Sequence, residues 1–166
     1  MWAEGKTAWV TGASAGIGER LAHEMMRAGA AVVLSARTES DLARVAGDLA
    51  LMAREVMHEA PVERADGAPE NTLVLPLDMR EPARFDDAVR AVRERYGRLD
   101  HLILNAGVSQ RGYVAETTRE IDDILIRTNY LGPAALARAA LPLLMEGGGG
   151  RITVVSSVLG KYGTVS

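Results

Sequence analysis

A glycine-rich turn near the start of the chain carries residue types that bind phosphate groups. It runs from Thr11 to Gly18 and reads TGASAGIG. A short apolar run precedes it and a helix-like run follows it, so the turn joins a strand to the start of a helix. Backbone N–H groups at a helix N-terminus bind anions because they have no acceptor within the helix. The turn therefore predicts a phosphate or diphosphate site; the alternative interpretation is an ordinary strand–helix turn.

The three glycines of this turn have separate expected roles. Gly12 permits the sharp turn out of the strand, Gly16 lets a diphosphate approach the backbone, and Gly18 lets the helix pack close to the sheet. The spacing is not that of the common G-x-G-x-x-G fingerprint. It resembles the Thr-Gly-x-x-x-Gly-x-Gly motif of the short-chain dehydrogenase/reductase family. The resemblance implies a nicotinamide dinucleotide site that includes Thr11, Gly12, Ser14, Gly16, Ile17 and Gly18.

Strand-like and helix-like segments alternate along the chain, which predicts a Rossmann-type, doubly wound α/β fold. We expect a single dinucleotide-binding domain over residues 1–166, with helices on both faces of a parallel sheet of order 3-2-1-4-5. The predicted strands cover residues 6–10, 31–35, 72–77, 99–104 and 151–157. Predicted helices include residues 16–28, 41–57 and 121–145, and residues 60–71 predict a surface excursion.

Composition excludes several other classes of protein. The 166 residues carry a net charge of −3 and no cysteine. This charge gives no reason to expect a nucleic-acid partner, and disulfides or cysteine–zinc sites are impossible. The three histidines show no ligand spacing, so we predict no metal site. No run approaches the roughly 20 apolar residues that span a bilayer, and the first strand begins too early for a signal peptide. We therefore expect a cytoplasmic protein.

The end of the second predicted strand carries Ala36 and Arg37. Dinucleotide folds that prefer NAD place a carboxylate here to bind the ribose 2′-hydroxyl. A guanidinium would instead pair with a 2′-phosphate. In the family that the turn resembles, an arginine here usually accompanies NADP(H). We predict that NADP(H) is preferred and that NAD(H) is possible; the alternative is a solvated surface arginine.

The next two strand ends lie at the same edge of the predicted sheet. The resemblance implies that Asp78 hydrogen-bonds the adenine amino group, supported by the backbone of Met79; the alternative is a helix cap. The segment Asn105, Ala106 and Gly107 resembles the family's Asn-Asn-Ala-Gly motif, with Leu104 in place of the first asparagine. Small residues here would let the cofactor ribose lie against the backbone.

Pro133 falls inside a predicted helix. Proline has no N–H to donate to the carbonyl four residues back, which belongs to Asn129. The helix should therefore be distorted here, with a main-chain acceptor left free. In the family, an asparagine at the matching place holds a water of the proton relay through its main-chain carbonyl. The alternative is a buried asparagine that caps a kink.

The fifth strand ends in two serines, and the pattern Val-Ser-Ser-x-x-Gly resembles the family's catalytic serine segment. The resemblance implies that Ser157 hydrogen-bonds the substrate oxygen. In the family a tyrosine follows about a dozen positions later, with a lysine four residues beyond it, and the pair acts as general acid and base. Tyr162 comes too early, Lys161 precedes it, and Ser166 stands where its lysine is needed. We therefore predict a chain truncated before the Tyr-x-x-x-Lys motif, whose strand 152–155 forms an uncovered apolar edge.

Two functions fit these residues. The first is an NADP(H)-dependent oxidoreductase that passes hydride between nicotinamide and a small carbonyl or alcohol substrate, with Asn129 and Ser157 as catalytic residues. This chain alone would be inactive, and only a full-length form would be a homo-oligomer. The second is a non-catalytic dinucleotide-binding or interaction module.

Overall fold

The sheet is parallel throughout and has the predicted strand order. The structure, a computed structural model, describes residues 1–57 and 71–157. Five strands form one sheet in the order β3-β2-β1-β4-β5; they are β1 (Thr7–Thr11), β2 (Ala31–Ser35), β3 (Thr72–Val74), β4 (His101–Leu104) and β5 (Arg151–Val154). The α-helices are α1 (Gly16–Arg27), α2 (Glu39–Met57), α3 (Phe85–Tyr96), α4 (Arg119–Ile126) and α5 (Gly132–Glu146). Short 3₁₀ turns cover Pro82–Arg84 and Val114–Glu116.

β1 is the buried centre of the sheet, and all five of its residues are buried. Trp9 pairs with Val33 of β2 and Leu102 of β4. Because successive side chains point to opposite faces, Trp9 packs with α3 and α5 while Val10 packs with α1 and α2. A parallel sheet covered on both faces is the setting in which continuous apolar strands are stable.

The third strand is shorter than predicted because of Pro76. β3 ends at Val74. The backbone N–H of Leu75 still donates to the carbonyl of Leu34 in β2, and that of Leu77 donates to the carbonyl of Ala36 just after β2, both at 2.9 Å. Pro76 has no N–H, so the regular ladder stops although the chain continues beside β2.

The prediction of one continuous helix over residues 121–145 is wrong, because this stretch is interrupted. A π-helical turn, Arg127–Leu131, separates α4 from α5. Within it the N–H of Gly132 donates to the carbonyl of Arg127, five residues back. Pro133 follows directly, and the predicted distortion at this proline is confirmed. Turns of this kind are rare and frequently lie at functional sites.

β5 forms an open edge of the sheet. All four of its residues are exposed, including Ile152 and Val154 at 42% and 64%. Within residues 1–57 and 71–157, the predicted uncovered apolar strand is therefore confirmed. Such an edge presents unpaired backbone groups to other chains.

A buried carboxylate ties β1 to β4 at the amino ends of the strands. Asp100 is only 4% exposed and accepts a 2.9 Å hydrogen bond from the N–H of Thr7. Arg98 donates to both of its oxygens at 2.6 and 2.9 Å, and the Lys6 ammonium lies 3.6 Å away. Burial raises the pKa of the Asp100 carboxyl, but these hydrogen bonds and positive charges outweigh it and hold the pKa below its usual range.

We expect Asp100→Asn to destabilise the fold at pH 7 by about 2 kcal/mol, because the cationic partners lose their buried counter-charge. A carboxyl with a depressed folded-state pKa contributes stability above its unfolded pKa, and that contribution is lost as the pH falls through the folded-state value. Urea unfolding should therefore show the largest difference near neutral pH and convergence of variant and wild type in acid. The exposed Asp86→Asn is the matched control; an equally large effect there would contradict the assignment.

Candidate functional site

A cavity of about 330 Å³ opens at the carboxyl ends of the central strands. In open α/β sheets ligands bind at the carboxyl ends of the strands, at the switch point where the strand order reverses. Here this switch point lies between β1 and β4. Eight of the predicted site residues line the cavity, namely Gly12, Ser14, Arg37, Asp78, Met79, Asn105, Ala106 and Gly107. The rest of the lining is Ala15, Ala36, Thr38, Asp41, Leu77, Val108 and Thr128.

A second cavity, of about 340 Å³, lies at the opposite edge of the sheet. Trp2, Lys6, Asp100, His101 and the glycine segment 148–150 contribute to its lining. It contains the amino ends of strands, where open α/β sheets do not place their ligands. The first cavity is therefore the candidate site.

The glycine turn gives the first cavity a backbone wall without side chains. Gly12 and Gly16 have φ values of +66° and +60°, in the left-handed region that favours glycine. A Cβ at Gly16 would meet nothing within 4 Å, so the space over the turn is open. Ala15 precedes α1 and makes no side-chain cap. Among the described residues the N–H groups of Gly16, Ile17 and Gly18 have no acceptor, which leaves them available to an anion.

Gly18 lets α1 approach the strand ends closely, as predicted. A Cβ there would lie 2.2 Å from the carbonyl oxygen of Gly12 and 2.5 Å from Nδ2 of Asn105. That amide is itself fixed, since it donates to the carbonyls of Thr11 and Gly12 at 3.1 and 3.2 Å. Only glycine fits at this position without displacing one of these groups.

The buried Thr11 hydroxyl joins the ends of β1 and β4. It donates to the carbonyl of Ile103 at 3.2 Å and accepts from the N–H groups of Asn105 and Ala106 at 3.0 and 3.1 Å. Thr11 does not line the cavity and is completely buried. Its geometry makes it a support for the Asn105–Gly107 backbone.

Charge at the cavity rim comes from Arg37 and from two carboxylates, Asp41 and Asp78. Arg80 donates to both oxygens of Asp78, with distances from 2.7 to 3.2 Å. These bonds, with the nearby charge of Arg37, hold the pKa of Asp78 below its usual range despite partial burial. Asp78 is therefore ionised but neutralised by Arg80. Arg37 is exposed and has no carboxylate partner within residues 1–57 and 71–157.

Asn129 lies in the π turn and clamps the loop after β4. Its Oδ1 accepts from the N–H of Val108 and its Nδ2 donates to the carbonyl of Val108, both at 2.8 Å. Val108 lines the cavity, whereas Asn129 does not. The side-chain amide is thus committed to the backbone of a neighbouring loop.

Ser157 follows β5 at the same edge of the sheet and is exposed. Ser157 does not line the cavity. Gly16, Ile17 and Gly18 do not line it either; they follow the lining residue Ala15 at the start of α1. Tyr162, Lys161 and Ser166 lie outside the described residues, as does most of the predicted excursion over residues 60–71.

Two arginines of the site were not expected from sequence. Arg80 follows Asp78 by two residues and pairs with it. Arg44 on α2 bonds the glycine turn across 30 residues of sequence. The first had a local signal, since an arginine so close to a strand-end aspartate can fold back onto it. The second had none.

The described part of the chain offers no cluster of three or more residues able to ligate a metal ion. Nor does any described helix combine the length and the apolar character needed to cross a lipid bilayer.

Comparison with families and curated proteins gives one consistent result. The profile of the short chain dehydrogenase family matches residues 6–166. Dehydrogenase/reductase SDR family member 7 of Homo sapiens is 38% identical over 152 residues, which cover 92% of this chain and 41% of that protein. The SDR family protein 7-like of Drosophila melanogaster is 40% identical over 158 residues, covering 95% and 45%. The chain thus spans less than half the length of these curated relatives.

Solved structures show the same likeness. A metagenomic short-chain oxidoreductase in complex with NADP superimposes with a TM-score of 0.82 at 29% identity, covering 99% of this chain and 67% of that one. A short-chain dehydrogenase from Streptomyces avermitilis gives 0.76 at 32% identity, covering 95% and 51%.

Proposed function

The chain belongs to the short-chain dehydrogenase/reductase family, and from this premise we propose that it binds NADP(H) as the dinucleotide-binding domain of an oxidoreductase. The reaction is hydride transfer between the nicotinamide and a small carbonyl or alcohol substrate. The observation that carries the proposal is the bare glycine turn, whose unbonded N–H groups stand beside the cavity at the carboxyl ends of the strands.

The residues present fit a dinucleotide. The N–H groups at the start of α1 would hold the diphosphate, and a Cβ at Gly16 would occupy the open space that it needs. The Asn105–Gly107 backbone, fixed by Thr11, would support a ribose. Asp78 and Met79 would contact the adenine, although the Arg80 fork competes for the Asp78 oxygens.

Arg37 supports a preference for the phosphorylated nucleotide. Its guanidinium lines the cavity and has no carboxylate partner among the described residues, so it is available to a 2′-phosphate. No acidic residue stands at the end of β2. Asp41 lines the same cavity and works against the preference; Asp78 is already paired with Arg80.

The bound nicotinamide would supply the hydride chemistry, and the chain's own residues would orient the cofactor and polarise the substrate oxygen. Ser157 would donate a hydrogen bond to the substrate oxygen as charge develops on it. Asn129 uses its side chain to hold Val108, so its main-chain carbonyl is the group that would position a water. The fourth residue after Tyr162 is Ser166, whereas the family's Tyr-x-x-x-Lys pattern has a lysine there. We therefore expect this chain to bind nucleotide without turnover.

Titration of the folded protein with NADPH and NADH tests the preference. We expect NADPH to bind more tightly, and Arg37→Ala to weaken NADPH binding about tenfold while leaving NADH unchanged, because only a 2′-phosphate loses its charged partner. Arg138→Ala, which removes an exposed arginine from α5, is the matched control.

Three outcomes separate the alternatives. Failure of the folded wild-type protein to bind either nucleotide would overturn the proposed function. Equal loss of NADPH and NADH binding in Arg37→Ala would overturn only the preference. Turnover of a carbonyl substrate by this chain would contradict the expected inactivity.

A further inference from the structure

Arg44 makes a four-bond fork at the base of the glycine turn. From the second turn of α2 it donates to the Ser14 carbonyl at 2.9 Å and to the two oxygens of Glu19 at 2.9 and 3.1 Å. A further 3.0 Å bond to Asp48 fixes the guanidinium along its own helix. Arg44 does not line the cavity, but Ser14 does. Arg44 therefore contacts a residue of the cavity wall without lining the cavity itself.

Glu19 places a negative charge in the first turn of α1, the helix whose N-terminal N–H groups are expected to hold the phosphates. It lies in the first turn of α1, so its carboxylate competes with a diphosphate for the positive end of the same helix. A glutamate is ionised at neutral pH with or without this partner, and the hydrogen bond from Arg44 is the main cause that lowers the pKa of Glu19 further. Without Arg44 this charge would repel an incoming anion.

We propose that Arg44 is a positioning and charge-balancing residue of the dinucleotide site: it fixes the Ser14 carbonyl and neutralises Glu19, so that affinity for the diphosphate depends on a side chain that does not touch it. This inference rests on the proposed function. Positioning by Arg44 fits its geometry better than a role in stability, because its side chain is 51% exposed and exposed ion pairs contribute little to folding.

The test compares NADPH dissociation constants and melting temperatures of four variants. Arg44→Leu should weaken NADPH binding about tenfold, because a like charge near the phosphates is uncovered and a turn carbonyl loses its anchor. Glu19→Gln in the Arg44→Leu background should restore much of the loss, whereas Glu19→Gln alone should not weaken binding. Arg27→Leu, which breaks the 2.8 Å pair with Glu24 at the other end of α1, should leave the affinity unchanged.

The outcomes distinguish this inference from the proposed function. If the wild type binds NADPH and Arg44→Leu binds within twofold of it, Arg44 has no positioning role. A lowered melting temperature with unchanged affinity would assign Arg44 to structure alone and would also overturn the inference. Equal weakening in Arg44→Leu and in the double variant would overturn the charge-balancing half. If the wild type does not bind, the proposed function itself is wrong.

Discussion

Gly18→Ala is expected to abolish NADPH binding and to destabilise the fold by about 3 kcal/mol. The added Cβ would lie 2.2 Å from the Gly12 carbonyl oxygen, and that atom cannot yield independently. It accepts a hydrogen bond from Asn105, whose own N–H is held by Thr11. Relief therefore requires α1 to move away from the strand ends, which takes the N–H groups of its first turn out of position for a diphosphate. Nucleotide titration and urea unfolding measure the two effects.

Gly47→Ala is the matched control for this substitution. Gly47 lies on the exposed side of α2, and a Cβ there would meet nothing within 4 Å. Because alanine is the better helix former, this variant should be more stable than the wild type by about 0.5–1 kcal/mol and should bind NADPH equally well. Wild-type affinity in Gly18→Ala would contradict the close approach of α1.

Gly132→Ala is expected to lower the melting temperature by about 10 °C, corresponding to about 3 kcal/mol for a chain of this length. Gly132 begins α5 with an ordinary helical φ of −62°, so alanine would be strain-free in isolation. Its Cβ would, however, lie 2.1 Å from the carbonyl oxygen of Met79. Met79 lines the cavity, so the displacement should also weaken NADPH binding.

Gly112→Ala serves as the control for Gly132→Ala. Its added Cβ would first meet the Gln110 side chain at 3.4 Å, an ordinary contact in an exposed loop. Thermal unfolding should place this variant within a few degrees of the wild type. Similar melting temperatures for both alanine variants would mean that α5 does not pack closely against the Met79 carbonyl.

The sheet and the glycine turn could be predicted because their signals are local. The buried run of β2 and the glycines of the turn each lie within a few residues of the feature that they specify. Strand order then follows from repeated strand–helix–strand units and the position of the reversal. The distortion near Pro133 was equally local, since proline removes one specific backbone donor.

What could not be predicted depends on contacts between distant segments. Arg44 and Ser14 are 30 residues apart, and Asn129 and Val108 are 21 apart. The side chains of Arg44 and Asn129 could equally have faced solvent, as far as the sequence shows. The π turn itself was missed because helical spacing of apolar residues does not record an inserted residue. Gly132 gave no signal either, because its role is visible only against the Met79 carbonyl.

Amide chemical-shift mapping during an NADPH titration would show whether the N-terminus of α1 holds the diphosphate. Binding of the diphosphate by the start of α1 predicts that the backbone N–H signals of Gly16, Ile17 and Gly18 shift together and saturate with the same dissociation constant. Shifts confined to the opposite cavity, at Lys6, His101 and Arg151, would place the ligand at the amino ends of the strands and would contradict binding at the glycine turn.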